Sequence, residues 1–526
     1  MTSANVPQQS EKHLRHAVEA ERADNPAFFH RESALLTPAE CSVADDWAVK
    51  SGLSSVQLME NAGKQVATLT SQAVQAPADL AGPICVICGP GNNGGDGFVA
   101  ARYLEEWGFP VRLYLSCDVA DLNGDARYMA DRWQGSVLPL TPQSVQGASI
   151  IIDALFGAGL SRPVEGDLVD VIEAINAEHD ALKVAIDLPS GLNGATGLTQ
   201  GVCVQADITV TFFARKPAHV LLPGRFLCGG ADHIHVVNIG IATQALGDIL
   251  PTCAENTPLA WQHCYPVQSP FVHKYSKGHA LILGGKEPTL GASRLTSMAA
   301  LRSGAGLVSM ACPSESYSVQ ATALTDVMVR RFDSHFGFLG FLEDPRLSVV
   351  AIGPGAGVGE KTVELVLGVM DRHLPLVLDA DGITSFAGRV HLLKDKGDLK
   401  SPNLILTPHE GEFARLFPAI SFKAGRLQAA RQAAKESGAI IVLKGADTLI
   451  AHPDGQVFIN ANAPVWLAVA GTGDVLTGMI AGLVAQGMPA FEASAAAVYF
   501  HAEAAMQAGK GMIASDLLPI IARVLP

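Results

Sequence analysis

Long apolar runs are missing from this chain. No uncharged stretch approaches the ~18–20 residues that a membrane span needs, so no membrane partner is expected. A signal-peptide core is missing too: acids and bases alternate from Glu11 to Glu32, and a cytoplasmic location is expected. Charge is sparse, at 17% of residues against 48% hydrophobic, which excludes a solvated, disordered chain. Basic residues number 37 against 51 acidic ones, a net charge of −14. That balance excludes the broad footprint of a nucleic-acid binder and leaves room only for local basic pockets. Nine cysteines in 526 residues are too few for a disulfide framework. Cys85 and Cys88 do form a C-x-x-C, but inside the apolar run Ile84-Cys85-Val86-Ile87-Cys88. Alternation there points the two thiols to opposite or poorly matched positions, so packed free thiols are expected rather than a zinc or redox site. No Walker G-x-x-x-x-G-K-[ST] occurs, which excludes a P-loop kinase.

What is present is a repeated α/β pattern. At this length two or more domains are expected. Residues 1–33 lack apolar periodicity and read as a flexible extension. Short apolar strands are predicted at 84–88, 111–116, 150–155, 184–188, 208–213 and 233–237, separated by helical stretches, as in a parallel sheet buried on both faces. These place a first domain at 34–242. Residues 243–270 carry Pro251, Pro258, Pro266 and Pro270 and read as a linker. A second domain at 271–526 has predicted strands at 280–283, 349–352, 376–378, 404–406 and 440–443. Strands at 448–451 and 456–460 flank His452-Pro453-Asp454-Gly455, a hairpin signal.

The densest signal is Gly89-Pro90-Gly91-Asn92-Asn93-Gly94-Gly95-Asp96-Gly97, between a strand and a helix. Glycines let a backbone approach a phosphate, and the helix start aims free N–H groups at it. Gly89, Gly91 and Gly94 satisfy a loose dinucleotide pattern, with Asp118 about where a ribose-binding acid stands. That pattern has no use for two asparagines and Asp96. Two more strand ends carry polar groups: Asp153, followed by Gly157-Ala158-Gly159-Leu160-Ser161-Arg162-Pro163, and Asp187-Leu188-Pro189-Ser190-Gly191. In a doubly wound sheet these ends line one crevice. The oxygen-rich set suits a hard cation, and a spare carboxylate suits acid–base work. Each Asp alone reads equally as a helix cap or turn former.

In the second domain, Gly471-Thr472-Gly473-Asp474 opens a helix. Its backbone amides suit a transferring phosphoryl group, and Asp474 suits a general base for an attacking hydroxyl. The same four residues read as a glycine-opened helix with Asp474 as cap. Gly353-Pro354-Gly355-Ala356-Gly357 gives another close backbone approach. Lys444-Gly445-Ala446-Asp447-Thr448 sets a lysine at a strand end, within reach of a nucleotide. His409 reads as a ligand or as a capping histidine.

These motifs carry a resemblance. The Asn-Asn-Gly-Gly-Asp loop with Asp-Leu-Pro-Ser-Gly resembles the YjeF N-terminal type. The second domain resembles the ribokinase-like carbohydrate-kinase domain that follows it in bifunctional NAD(P)H-hydrate repair enzymes, over residues 34–526. The resemblance implies a Rossmann-like three-layer αβα domain and then a ribokinase-like α/β domain. The first would epimerise R- and S-NAD(P)HX (NADHX and NADPHX). The second would dehydrate the S form with ADP and magnesium, releasing AMP and phosphate. It implies that Asn92, Asn93, Gly94, Gly95, Asp96, Gly157, Ala158, Gly159, Leu160, Ser161, Arg162, Pro163 and Asp187 touch the substrate in the first domain, with Asp187 catalytic. Asn93, Asp153 and Ser190 would hold potassium. In the second, Ala292, Gly357, His409 and the catalytic Asp474 would meet NAD(P)HX. Lys444, Gly445, Ala446, Asp447, Thr448 and Gly473 would meet the adenine nucleotide. A homo-oligomer is expected. One departure stands out: Pro464-Val465-Trp466-Leu467-Ala468-Val469-Ala470 replaces a Gly-Asn-Pro and small polar residue. Two rival readings are a sugar or hydroxymethyl-pyrimidine kinase with a regulatory first domain, and a first domain that binds without catalysing.

Overall fold

The computed structural model describes residues 28, 30–74, 76–160, 162–267, 273–394 and 402–526. The expected extension at 1–33 falls mostly outside these residues. Two compact units divide the chain after Cys253.

The first unit is built on seven parallel strands: β1 (Ile84–Cys88), β2 (Val111–Leu115), β3 (Val137–Pro139), β4 (Ile150–Ala154), β5 (Leu182–Ile186), β6 (Ile208–Phe212) and β7 (Ile234–Val237). Their spatial order is β3-β2-β1-β4-β5-β6-β7, which reverses direction between β1 and β4. A doubly wound sheet opens its ligand crevice at such a switch point, outside the carboxyl ends of the strands. Alternation on β1 sends Ile84, Val86 and Cys88 into one apolar layer and Cys85 and Ile87 into the other. The two thiols of the C-x-x-C therefore face opposite layers, and both are free.

Two strand ends stop short of their predicted limits for the same reason. The run predicted to reach Leu188 ends at Ile186, because Asp187 turns to a left-handed φ of 66°. The run predicted to reach Phe213 ends at Phe212, because Phe213 has φ 63°.

The second unit carries a ten-stranded sheet ordered β11-β10-β9-β12-β13-β14-β15-β16-β17-β8. Its strands are β8 (Cys253–Glu255), β9 (His279–Leu283), β10 (Leu307–Pro313), β11 (Met328–Phe332), β12 (Leu347–Ile352), β13 (Leu376–Leu378), β14 (Leu404–Leu406), β15 (Ile440–Leu443), β16 (Thr448–Ala451) and β17 (Val457–Asn460). Strands β11 through β15 pair in parallel, while β15–β16 and β16–β17 are antiparallel, as the hairpin signal predicted. This is the parallel sheet with appended hairpin expected of the ribokinase-like reading.

Four strands escaped the sequence reading. β3 and β8 have three residues each, β10 contains the small-residue run Ser309-Met310-Ala311-Cys312, and the edge strand β11 is interrupted by two arginines. The segment 243–270 is more ordered than a linker. Ala245 and Leu246, on the short helix Ala245–Ile249, pack with Ala44 and Ala48 of the first unit. Further on, the Asn256 amide N–H donates to Ile459 O at 2.8 Å. Its prolines start turns without excluding structure between them.

Glycines at the switch point are packing requirements. A Cβ on Gly89 would lie 1.9 Å from the Leu155 carbonyl, and one on Gly94 would lie 1.9 Å from the Gly89 carbonyl. Gly89→Ala should therefore push β1 and β4 apart where they meet the crevice. Overpacking of this kind costs about 1–3 kcal/mol, so differential scanning calorimetry should show the first unit's transition lowered by several degrees. An unchanged transition would show that the loop yields freely.

Candidate functional sites

In the first unit the left-handed turn at Asp187 puts its carboxylate at the crevice. Side chains that bring their own strain to a strand end are a recurring property of functional sites. Asp187 Oδ1 accepts from the Lys216 ammonium in a very short contact, and from Thr211 Oγ1 at 3.1 Å; Oδ2 accepts from the Ala158 N–H at 3.0 Å. Lys216 is only 3% exposed and also donates to Thr211 Oγ1 at 2.8 Å. His219 Nδ1 accepts from the Lys216 N–H at 2.9 Å, and its Nε2 lies 3.0 Å from the Asp187 carbonyl. Burial alone would raise the Asp187 pKa, but the Lys216 charge and hydrogen bond outweigh it, and the carboxyl is held below its usual range. Burial and the neighbouring Lys216 charge push His219 down to about 3, which keeps it neutral.

The glycine loop closes on this group. A Cβ on Gly157 would meet Asn93 Oδ1 at 2.8 Å and Asp187 Oδ2 at 3.3 Å. Gly157 must be glycine for Asn93 and Asp187 to share the crevice wall. Ala158 supplies a backbone donor, Gly159, Arg162 and Pro163 are exposed along the rim with Leu160 half-buried, and Ser161 lies outside the described residues.

Beside it, Asp153 is fully engaged. Its Oδ1 accepts from Ser190 Oγ at 2.5 Å and Leu155 N–H at 3.3 Å, and its Oδ2 from Ser190 N–H at 2.7 Å. Ser190 Oγ accepts in turn from the Phe156 N–H at 2.9 Å. Burial raises the Asp153 carboxyl to about 6, so a nearby cation would favour its charged form. The Asn93 Nδ2 is buried without a partner; turning the amide over presents its oxygen to the same space. Carboxylate, hydroxyl and carboxamide oxygens fit a hard cation.

In the second unit the parallel strands again bring their carboxyl ends to one edge. Gly471, at φ 89°, opens the helix Thr472–Ala485, and no side chain caps its start. The capping alternative for Asp474 is thereby set aside: it lies in the first turn with its carboxyl raised to about 6 by burial and by the negative charge of Asp379. Lys444, at the end of β15, donates to Asp379 Oδ1 at 2.7 Å and lies 3.9 Å from Glu412 Oε2. Asp379 Oδ2 accepts from Thr477 Oγ1 at 2.7 Å. Burial opposes the Lys444 charge, but Asp379, Glu412 and Asp474 together raise its pKa. A Cβ on Gly473 would lie 3.4 Å from Lys444 Nζ. A carboxyl group, an ammonium and open helix amides thus converge.

The other expected contacts divide. His409 is the N-cap of the helix Glu410–Leu416, its Nδ1 accepting from Gly411 N–H at 2.9 Å, while its ring stays largely exposed. Gly357 N–H donates to Asp381 Oδ2 at 2.9 Å. Ala292 lies on the helix Leu290–Arg302, whose Thr296 hydroxyl donates to both the Ala292 and Asp474 carbonyls. Asp447 points elsewhere: it is buried against Arg426 at 2.9 Å. The Thr448 hydroxyl is held by the Gly445 turn at 2.8 Å. These two side chains shape the Lys444 turn rather than face the cluster. Sequence reasoning missed Lys216, Thr211 and His219 in one unit, and Asp379, Thr477 and Glu412 in the other. Its own strand-end rule would have found two of them, since Lys216 follows β6 as Lys444 follows β15, and Asp379 follows β13 directly.

Family models agree with this division. Residues 55–218 match the YjeF-related protein N-terminus, and residues 280–526 match NAD(P)H-hydrate dehydratase. The bifunctional NAD(P)H-hydrate repair enzyme of Moorella thermoacetica is 38% identical over 93% of this chain and 96% of its own length. This chain belongs to that family. The Escherichia coli relative of the same description is 32% identical over 90% of both chains. Among solved structures, the ADP/ATP-dependent NAD(P)H-hydrate dehydratase of Bacillus subtilis, co-crystallized with ATP and Mg2+, is 29% identical, with a TM-score of 0.45 over 51% of this chain and 96% of that one.

The Lys216 ammonium sets the charge of Asp187. Lys216→Met should leave burial unopposed and move the Asp187 carboxyl to higher pH. Carbon NMR titration of labelled aspartate should show that rise, with Lys216→Arg restoring much of the depression. An unmoved titration in Lys216→Met would remove the pair from the site's electrostatics.

Proposed function

We propose that the first unit epimerises R- and S-NAD(P)HX and that the second dehydrates S-NAD(P)HX at the expense of ADP, releasing NAD(P)H, AMP and phosphate. The observation that carries this reading is the pair of strand-end clusters, one carboxylate–lysine group in each unit, in a chain that belongs to the repair-enzyme family.

In the first unit, Asp187 is the proton acceptor for the hydrated ring. The Asn92–Asp96 turn and residues 157–163 hold the nucleotide. Asn93, Asp153 and Ser190 hold a potassium ion, which offsets the negative charge of the dinucleotide. In the second unit, Asp474 takes the proton of the C6 hydroxyl as that oxygen attacks the terminal phosphoryl of ADP. The Gly471–Gly473 amides and Lys444 stabilise the transferring group, and magnesium accompanies the nucleotide. Hydroxide is a poor leaving group, and phosphorylation converts it to a good one. Ala292, Gly357 and His409 line the side where the dihydropyridine ring enters. Gly445 and Ala446 lie against the adenine nucleotide through their backbone, with Asp447 and Thr448 fixing the turn.

A mixture of R- and S-NADHX should be recovered completely as NADH when ADP is present, with phosphate released in equal amount. A stable phosphorylated product would establish the kinase alternative. Asp187→Asn should stop conversion at the S fraction, since the separate core of the second unit still processes it. Asp474→Asn keeps the side chain's size and removes the base. Its kcat should fall ~10²–10⁴-fold with little change in ADP affinity by calorimetry. Near-normal turnover would show that Asp474 only shapes the helix start. Replacing potassium by lithium should slow epimerisation alone.

A further inference from the structure

The first unit holds a second carboxyl group with surroundings opposite to those of Asp187. Asp96 is on the first turns of the helix Asn92–Glu106, three residues after Asn93 and so on the same helix face. Asn93 on that face meets Gly157, where an added Cβ would also lie 3.3 Å from Asp187 Oδ2. Asp96 is 9% exposed, yet among the described residues no donor lies within hydrogen-bonding distance of its carboxyl. Asp187 has three donors, one of them an ammonium.

We infer that Asp96 is a catalytic proton donor in epimerisation, paired across the crevice with Asp187 as proton acceptor. This rests on the proposed epimerase activity. A buried carboxyl without donors is stable as the neutral acid, whereas one bonded to an ammonium is stable as the anion. Two carboxyls pushed apart in this way divide acid and base work between them.

The charges around Asp96 favour the neutral form. Burial, then the Asp187 carboxylate and Asp45 on the helix Pro38–Lys50, raise its pKa well above the usual carboxylate range. From β1 it faces the Cys88 thiol, which burial keeps protonated. Met59 of the helix Ser55–Gln72 and Ala126 of the helix Gly124–Asp131 pack at the neighbouring Gly95, and Gly63 packs against the Asp96 backbone carbonyl. The Lys216 ammonium is taken by Asp187.

The pair supplies what inversion at C6 requires. Asp187 removes the proton of the C6 hydroxyl. The C6–N1 bond breaks with its electron pair moving to nitrogen, and Asp96 protonates that nitrogen, leaving an aldehyde and an enamine. After rotation about C5–C6 the nitrogen adds to the opposite face of the carbonyl. Its proton returns to Asp96, and Asp187 returns the hydroxyl proton. Both groups end as they began, and no co-reactant is consumed.

The test is the pH dependence of epimerisation of R-NADHX by the full chain, with the uncatalysed rate subtracted. Wild type should show a bell, its acidic limb from Asp187 and its basic limb from Asp96. Asp96→Asn should lower kcat by ~10²–10⁴-fold and abolish the basic limb, with any rise in KM much smaller than the loss of kcat. A variant that raises KM but keeps kcat and the basic limb would reduce Asp96 to a binding contact. Should circular dichroism show Asp96→Asn unfolded, the wild-type profile decides, and a rate that stays flat into the alkaline range overturns the proposal. No epimerisation by wild type at any pH would instead refute the functional reading beneath it.

Discussion

Parallel strand pairing is the constraint on which both sites depend. In a parallel sheet every strand delivers its carboxyl end to the same edge, so residues far apart in the chain meet without any loop having to be long. Asn93, Asp187 and Lys216 follow β1, β5 and β6, Asp153 lies at the end of β4, and all serve one crevice. Asp379, His409 and Lys444 follow β13, β14 and β15 in the second, and there the same geometry yields a carboxylate–lysine cluster at the foot of an open helix. The apolar layers on both faces hold the strands in register, and the polar ends inherit that precision.

Each site sets the charge of an aspartate by what it places beside it. Asp187 is half-buried and bonded to a buried ammonium, and it stays ionised. Asp474 is half-buried with Asp379 and Glu412 near it, and the positive charge of Lys444 is shared among all three carboxylates. A raised pKa brings Asp474 close to neutrality, the range that the proposed role of general base calls for. Burial of a charge is costly unless it is paired and hydrogen-bonded. Pairing is therefore what allows these groups to be withdrawn from water, and withdrawal from water is what makes their charge effective on a substrate.

Packing around the glycines works to the same end. Gly89, Gly94 and Gly157 are not there for flexibility: a methyl group at each would collide with a carbonyl or with Asn93. They let β1, β4 and the helix start approach until the functional groups share a wall. In the second sheet Gly353 and Gly285 do likewise, each lying where a Cβ would strike the backbone opposite, at Asp379 and Gly355. Apolar residues 465–470 lie largely exposed before Gly471. They leave the nest itself intact.

Much of this was legible in the residues alone. Most strands, the hairpin, the three polar strand ends of the first domain and the Gly-Thr-Gly-Asp turn are local patterns, written in alternation, glycine spacing and short-range chemistry. Those patterns determined the fold class, the two-unit order and the positions where chemistry gathers. What they left open were questions of partnership. Whether Asp474 caps a helix or stands free of that duty, whether Asp447 faces a nucleotide or Arg426, and which lysine neutralises Asp187 depend on which elements become neighbours. Lys216 lies 29 residues from Asp187, and Lys444 lies 65 from Asp379. An ionisable group takes its charge state from everything within a few ångströms, and only the folded sheet decides what that is.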